Sequence, residues 1–168
     1  MKKPLVIALA VVIAIQLCTP IYRIANKYDI LKSGEVFKFR VNPVDPYDAF
    51  RGRYVFLSAS QAVQGGGKGG YGMIAVDAEG FAYIASVTDH KPDTGAYVKS
   101  NARSWFSLPI DRYYMDEKFA PKAEMLAWRR DPDSDYYVAV RVKNGVLVIL
   151  GLFIDGVAVE DIIRMGLE

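Results

Sequence analysis

Charged and turn-forming residues gather in one short stretch, residues 42–60, with the sequence NPVDPYDAFRGRYVFLSAS. Asp45 and Asp48 can accept hydrogen bonds from backbone N–H groups, as aspartates commonly do in turns. Arg51 or Arg53 can reach such a carboxylate and close a charge-assisted bridge. We therefore predict a fixed corner of the chain that leads into the aromatic and β-branched run behind it.

Further residues extend this candidate site. Gly52 permits a backbone conformation that a side chain would oppose, and Tyr54 opens a run typical of a strand. Two interpretations stay open: a corner that shapes the fold, or a ligand cleft with these groups at its mouth. We predict no catalytic residue, and the candidate binding residues are Asp45, Asp48, Arg51, Gly52, Arg53, Tyr54, Arg112, Tyr113 and Glu117.

Residues suited to nucleophilic or metal chemistry are few. His90 is the only histidine, and a Ser-His-Asp arrangement would have to use it. It lies in a polar turn beside Lys91-Pro92. The only cysteine, Cys18, falls in an apolar segment, so with a single histidine elsewhere the sequence argues against a zinc site. We expect no metal and no cofactor.

Length and charge narrow the class of protein. A chain of 168 residues is expected to form one domain with a real core. The net charge is +2, and Lys2, Lys3 and Arg23 are the only charged residues among the first 24. The rest is close to neutral and has no basic block. This pattern argues against nucleic acid as a partner, because its binding depends on neutralising phosphates.

The N-terminal segment predicts a membrane anchor. Pro4–Tyr22 contains 19 residues without a charge, about 28 Å of helix against a hydrocarbon layer of ~30 Å. Lys2 and Lys3 precede it, as expected of a cytoplasmic flank. We predict an uncleaved signal anchor in the inner membrane, with the C-terminal domain in the periplasm or outside. A cleaved signal peptide with Leu5–Leu17 as its apolar region is the alternative, although no small-x-small cleavage site follows.

The predicted organisation has four parts. They are a cytoplasmic stub (1–4), a transmembrane helix (5–24), a connector (25–34) and an extracytoplasmic β domain (35–168). We predict that the connector forms the last helical turns, which Ser33-Gly34 ends. In the last part, the alternation of apolar and charged residues in Glu35–Val41 predicts a strand with one solvated face. Residues 71–76 and 81–87 flank a turn and predict a hairpin.

Asn144-Gly145 predicts a second hairpin, because Asn-Gly is the strongest short turn signal. It joins Tyr136–Val142 to Val146–Phe153. The unbroken apolar run Val146–Leu150 predicts a strand buried on both faces, and Pro121–Arg130 predicts one helix. The fold class is therefore mainly β: an antiparallel barrel or sandwich with one short helix, preceded by a single N-terminal transmembrane helix.

Gly52-Arg53-Tyr54-Val55-Phe56-Leu57-Ser58-Ala59, preceded by Val44-Asp45-Pro46, resembles the motif that names the GDYXXLXY family of bacterial membrane-anchored proteins. Arg53 stands where the motif has Asp, and Ala59 where it has its final Tyr. Ile110–Tyr114, Glu117 and the hairpin that ends at Gly156 are also similar to that family. The resemblance implies a single N-terminal helix, an envelope-facing domain and no established activity. It also implies a multi-spanning membrane protein as partner, because members tend to accompany such proteins.

Two functions from different classes follow. The first is a non-enzymatic module that docks on an integral-membrane or envelope partner. It predicts an exposed apolar patch or an unpaired sheet edge near the anchor. The alternative is a domain that binds a small ligand or an envelope polymer, or hydrolyses one, with a cleft near Asp45–Tyr54.

Overall fold

A computed structural model of the chain describes residues 3–44, 54–58, 63, 67–102, 105–110, 112–116, 118–119, 122–123, 125–126 and 134–166. The first element is one helix, Lys3–Ser33, of 31 residues. At 1.5 Å per residue it is about 46 Å long, which exceeds the ~30 Å hydrocarbon layer of a bilayer. It is long and apolar enough to span a membrane, and its one buried residue is Ile30.

The N-terminal helix ends at Ser33, where the sequence predicts its end. The N–H of Gly34 donates to the carbonyl oxygen of Ile30 at 2.7 Å. A Cβ atom at position 34 would lie 2.6 Å from that same oxygen. This close approach requires glycine. Residues 25–33, the predicted connector, are the last turns of the same helix.

In the described part of the chain, ten strands and a C-terminal helix follow. In chain order they are β1 (Glu35–Arg40), β2 (Asn42–Val44), β3 (Tyr54–Ser58), β4 (Tyr71–Val76), β5 (Ala82–Thr88), β6 (Tyr97–Lys99), β7 (Arg112–Tyr114), β8 (Tyr136–Lys143), β9 (Val146–Ile154), β10 (Val157–Ala158) and the helix Val159–Met165. The strands form three antiparallel sheets with the orders β1-β8-β9-β10, β2-β3-β7 and β5-β4-β6. The mainly β prediction is confirmed, and within the described strands no sheet closes into a barrel.

Both predicted hairpins are present. β8 pairs with β9 so that Lys143 stands opposite Val146. Between them Asn144 and Gly145 have φ angles of 52° and 78°, the left-handed pair that a two-residue hairpin turn requires. In the β4–β5 hairpin, the carboxylate of Asp77 accepts the N–H groups of Glu79 and Phe81 at 3.1 and 2.7 Å.

The four-stranded sheet and the β5-β4-β6 sheet share one apolar core. Phe39 of β1, Ile84 of β5, Val98 of β6 and Val138 of β8 are completely buried there. Each such side chain contributes roughly 1.5–3 kcal/mol by leaving water. The alternation in β1 has the expected cause, since Phe37 and Phe39 point into this core while Val36 and Lys38 face outward.

The prediction that Val146–Leu150 is buried on both faces is wrong. Leu147 and Ile149 pack against the core, whereas Val146 and Leu150 are 44% and 42% exposed. The end of the N-terminal helix packs beside this outer face. The second face of β9 is therefore apolar and only partly covered by the described residues.

The C-terminal helix begins after β10 in a region whose structure the sequence leaves undecided. Val159 and Ile163 lie on one side of this helix and are buried in the core. Gly166 ends it with a φ of 68°, the left-handed conformation usual after a helix. Of the helix predicted at residues 121–130, the structure describes Lys122, Ala123, Met125 and Leu126, which are helical.

Candidate functional site

The structure brings two parts of the predicted site onto neighbouring strands. β3 begins at Tyr54 and pairs with β7, so that Tyr54 stands opposite Tyr114 and Phe56 opposite Arg112. Tyr113, the third candidate described, stands opposite Val55. The other candidates, Asp45, Asp48, Arg51, Gly52, Arg53 and Glu117, lie outside the described residues. A cleft at this corner therefore stays a prediction.

Tyr113 is anchored by the C-terminal helix. Its hydroxyl donates a hydrogen bond to Oε1 of Glu160, a residue in the first turn of that helix. Burial raises the pKa of the Tyr113 hydroxyl, and the hydrogen bond to the Glu160 carboxylate raises it further. A neutral tyrosine beside a carboxylate is a donor that holds its proton at physiological pH. This pair fixes the β2-β3-β7 sheet to the C-terminal helix.

A second polar group lies where the N-terminal helix meets the β domain. Lys143, at the end of β8, donates to Oδ2 of Asp29 at 2.6 Å and to the hydroxyl of Ser33 at 2.7 Å. The hydrogen bond from Lys143 is the main cause that lowers the pKa of the Asp29 carboxyl. Asp29 lies beyond the charge-free stretch that ends at Tyr22. An ion pair thus joins the helix to the sheet outside the apolar segment.

We call the contact between the end of the N-terminal helix (Asp29–Ser33) and β8 the junction. Two further contacts reinforce it. Nη1 of Arg141 donates to the carbonyl oxygens of Lys32 and Gly34, each at 3.3 Å. Ile30 is only 2% exposed, because the β domain covers it. Charge pairs at a surface contribute little by themselves. Together with a buried isoleucine they hold the helix and the four-stranded sheet as one unit.

Exposed apolar side chains flank the junction, on β1 and on β9 at either side of β8. Val36 stands opposite Arg141, and Val146 stands opposite Lys143, so both valines share a sheet face with the residues that hold the helix. Leu150 lies where the register between β8 and β9 shifts. Val36, Val146 and Leu150 are 50%, 44% and 42% exposed. We call these three residues the anchor-side face.

The structure also contains an open groove of about 580 Å³ between the start of β1, the β8–β9 turn and strands β4 and β6. Phe37, Ile74 and Val142 contribute its apolar part, and Glu35 and Asn144 contribute polar groups. The groove adjoins the junction through Lys143.

His90 is exposed in a turn, where its carbonyl oxygen accepts a hydrogen bond from the hydroxyl of Thr88 at 2.8 Å. No group of three His, Cys, Asp or Glu side chains within the described part of the chain is arranged to hold a metal ion. Cys18 is a free, exposed cysteine on the N-terminal helix.

Sequence reasoning missed the junction and the partner of Tyr113. Asp29 and Lys143 are 114 residues apart, and Tyr113 and Glu160 are 47 apart. No local pattern relates residues at such distances. The docking hypothesis predicts an exposed apolar patch or an unpaired sheet edge near the anchor, and docking itself stays a prediction. Val36, Val146 and Leu150 are exposed apolar residues beside the junction.

The sequence matches the family described as GDYXXLXY protein over residues 16–152. The match runs from the middle of the N-terminal helix through the predicted corner to Leu152 in β9. The description names a sequence motif, so it identifies a family without assigning a reaction. No curated protein and no solved structure matches the chain.

Proposed function

The chain belongs to the GDYXXLXY family, and we propose that it is a membrane-anchored envelope protein that docks on an integral-membrane partner. The N-terminal helix is its single, uncleaved anchor in the bacterial cytoplasmic membrane. The β domain lies in the periplasm or outside the cell. Lys2 and Lys3 ahead of the charge-free stretch support this orientation. The proposal assigns no reaction to the domain.

The observation that carries the proposal is the anchor-side face. Val36, Val146 and Leu150 expose apolar surface next to the point where the helix enters the sheet. Exposed apolar groups gathered on one face are typical of interaction sites. A partner that covers them removes them from water, which favours binding by roughly 25 cal/mol per Å² of apolar area.

The junction gives this face a defined position. The helix continues for eleven residues after Tyr22, about 16 Å, before it ends at Ser33. The tie between Asp29 and Lys143 and the burial of Ile30 keep the sheet on the end of that helix. The face is therefore held close to the bilayer surface, within reach of the external loops of an integral-membrane protein.

Site-specific photo-cross-linking in intact cells tests the proposal. A photoreactive residue is placed at Val36 or at Leu150 of the full chain, and the matched control is Val76, which is 53% exposed on β4 of another sheet. We expect both positions of the anchor-side face to cross-link to the same multi-spanning protein, and Val76 not to do so.

A second variant distinguishes binding through this face from a cross-link to a protein that is merely nearby. Leu150→Lys puts a charge on the anchor-side face, and we expect it to abolish the cross-link from Val36 without lowering the thermal midpoint of the β domain. Equal cross-linking from Val36, Leu150 and Val76 would refute docking through this face. So would a cross-link from Val36 that persists in the Leu150→Lys variant.

A further inference from the structure

One side of the N-terminal helix carries polar groups that the described residues do not satisfy. Gln16, Arg23 and Ile30 are spaced by seven residues, about two helical turns, so they lie along one side of the helix. Lys27 follows Arg23 by four residues and is its neighbour on the helix surface. The β domain covers Ile30, whereas Gln16, Arg23 and Lys27 are exposed. We call these three residues the polar side.

Gln16 is the member of the polar side within the charge-free stretch. A side-chain amide in hydrocarbon has no water to bond, so it is stabilised by a hydrogen-bonding partner. Pro20 follows four residues later and has no N–H to donate to the Gln16 carbonyl in the regular helical pattern. Thr19, by contrast, is satisfied, because its hydroxyl donates to the carbonyl oxygen of Ile15 at 2.8 Å.

Arg23 and Lys27 extend the polar side past the end of the charge-free stretch. In the described part of the chain neither forms an ion pair, whereas Lys143 does so with Asp29. A second copy of this helix packed in parallel on the same side would bring like charges together, which is unfavourable. A helix with a carboxylate at this level would instead complement both cations.

We infer that the polar side receives a transmembrane helix of the partner, with a hydrogen-bonding side chain at the depth of Gln16 and a carboxylate level with Arg23 and Lys27. This inference rests on the proposed docking function and adds the chemistry of the partner. The amide selects a polar residue within the bilayer, and the two cations select an acidic residue at its outer boundary. The β domain, which covers Ile30 on the same side, then lies above the bound helix.

The test uses the full chain in phosphatidylcholine vesicles, with a donor fluorophore on Cys18, which is two residues from Gln16 and faces away from it. The probe is a synthetic leucine-rich transmembrane peptide that carries a glutamine at mid-depth, a glutamate at the Arg23 level and an acceptor fluorophore. A matched peptide has lysine in place of the glutamate. We expect the acidic peptide to associate about tenfold more tightly.

Variants of the chain sharpen the test. Arg23→Glu with Lys27→Glu is expected to reverse the preference between the two peptides. Lys32→Glu is the matched control, because Lys32 lies sixteen residues after Gln16 and on the opposite side of the helix. Gln16→Leu is expected to weaken association several-fold. Adding Ala14→Gln, which restores a glutamine on the opposite side, is expected not to recover it.

Three results would overturn the inference. Equal association of the acidic and basic peptides would show that Arg23 and Lys27 do not select a carboxylate on the partner helix. Energy transfer between labelled copies of this chain that is lost in Gln16→Leu would make a second copy the occupant. If vesicles that also contain an anionic phospholipid abolish the difference between the two peptides, phosphate headgroups and not a carboxylate are the ligands of Arg23 and Lys27. The cross-links from Val36 and Leu150 are measured independently of all three results, so docking can stand while this inference fails.

Discussion

Tyr113 and Glu160 show how the strand that pairs with the motif strand is held to the rest of the molecule. Tyr113 lies on β7 beside the strand that begins at Tyr54, and Glu160 lies on the C-terminal helix. Their hydrogen bond joins a neutral donor to a carboxylate. Such a bond is stronger than one between neutral groups. The role it indicates for Tyr113 is to hold the β2-β3-β7 sheet in place.

Tyr113→Phe is expected to lower the free energy of unfolding by about 1–2 kcal/mol, because the Glu160 carboxylate loses its donor. Chemical denaturation of the full chain in detergent measures this change. The matched control is Tyr83→Phe, since Tyr83 is half-buried on β5 and donates no hydrogen bond to the described residues. A cost for Tyr113→Phe no larger than the control's would contradict this role.

The raised pKa of Tyr113 gives the same pair a pH signature. In the unfolded chain a tyrosine loses its proton near pH 10, whereas in the folded protein Tyr113 keeps its proton at that pH. The stabilisation is therefore fully present below about pH 10 and is lost as the pH rises above it. We expect the wild-type chain to lose stability between about pH 10 and 11 more steeply than Tyr113→Phe. Parallel pH profiles for the two chains would show that Tyr113 has no shifted pKa.

At the residue scale the sequence identifies Tyr113 as a candidate but not its partner. Glu160 lies in a segment whose structure the local pattern leaves undecided. Ala158, which precedes the helix, makes no side-chain capping bond. Without a capping residue the start of this helix has no clear signal in the sequence. The ion pairs of Asp29 with Lys143 and of Arg40 with Asp77 are also not predictable from the local sequence, because each depends on a tertiary contact.

The β8–β9 hairpin is the element that organises the junction. Its turn is held against β6, where the N–H of Lys99 donates to the carbonyl oxygen of Gly145 at 2.8 Å. Gly145 has a φ of 78°, and a Cβ atom there would lie 2.5 Å from Cε2 of Tyr97. Glycine is therefore required both by the turn and by the close approach of the Tyr97 ring.

Gly145→Ala is expected to destabilise the domain more than Gly80→Ala. Both glycines have positive φ angles, 78° and 87°, but no atom lies within 4 Å of a Cβ placed at Gly80. Gly80→Ala should cost about 1–2 kcal/mol from backbone strain alone. Gly145→Ala should cost a further 1–3 kcal/mol or so, because the Tyr97 ring must move. Equal costs in thermal unfolding would show that the contact with Tyr97 is unimportant.

At the element scale, local chemistry predicts turns well and burial less well. Asn144-Gly145 identifies the hairpin because the φ angles of a two-residue turn select those residue types. The apolar run Val146–Leu150 identifies a strand but gives the wrong prediction for its second face. An apolar face that meets solvent and one that meets a second layer look alike in sequence. Only the folded structure distinguishes the two, because it shows that the N-terminal helix packs beside this face of β9.

For the whole molecule, the main finding is that one helix passes from the apolar N-terminal segment into the β domain without a break. A length of 31 residues allows it to cross a bilayer and still reach the sheet. The sequence predicts the apolar segment, the end of the helix and the mainly β body. It does not predict that the last turns are fixed to β8, because Asp29 and Lys143 meet only in the folded chain.

Because the helix continues unbroken to the β domain, the anchor-side face and the polar side are held on one body. A partner that binds the anchor-side face and the polar side together contacts two surfaces that the junction holds at a fixed spacing. Two linked contacts bind more tightly than either alone when their geometry matches that of the partner. The proposed function therefore depends first on the helix crossing the membrane with the β domain on the outer side.

Labelling of single cysteines in intact spheroplasts tests that placement most directly. In a Cys18→Ser background, one cysteine replaces Ala78, exposed in the β4–β5 turn, and in a second chain one replaces Lys3. With a membrane-impermeant maleimide we predict that the full-length Ala78→Cys chain is labelled at once, and that the Lys3→Cys chain is labelled only after the membrane is permeabilised. Protection of position 78 until permeabilisation, or a labelled product that lacks its first twenty or so residues, would contradict the account.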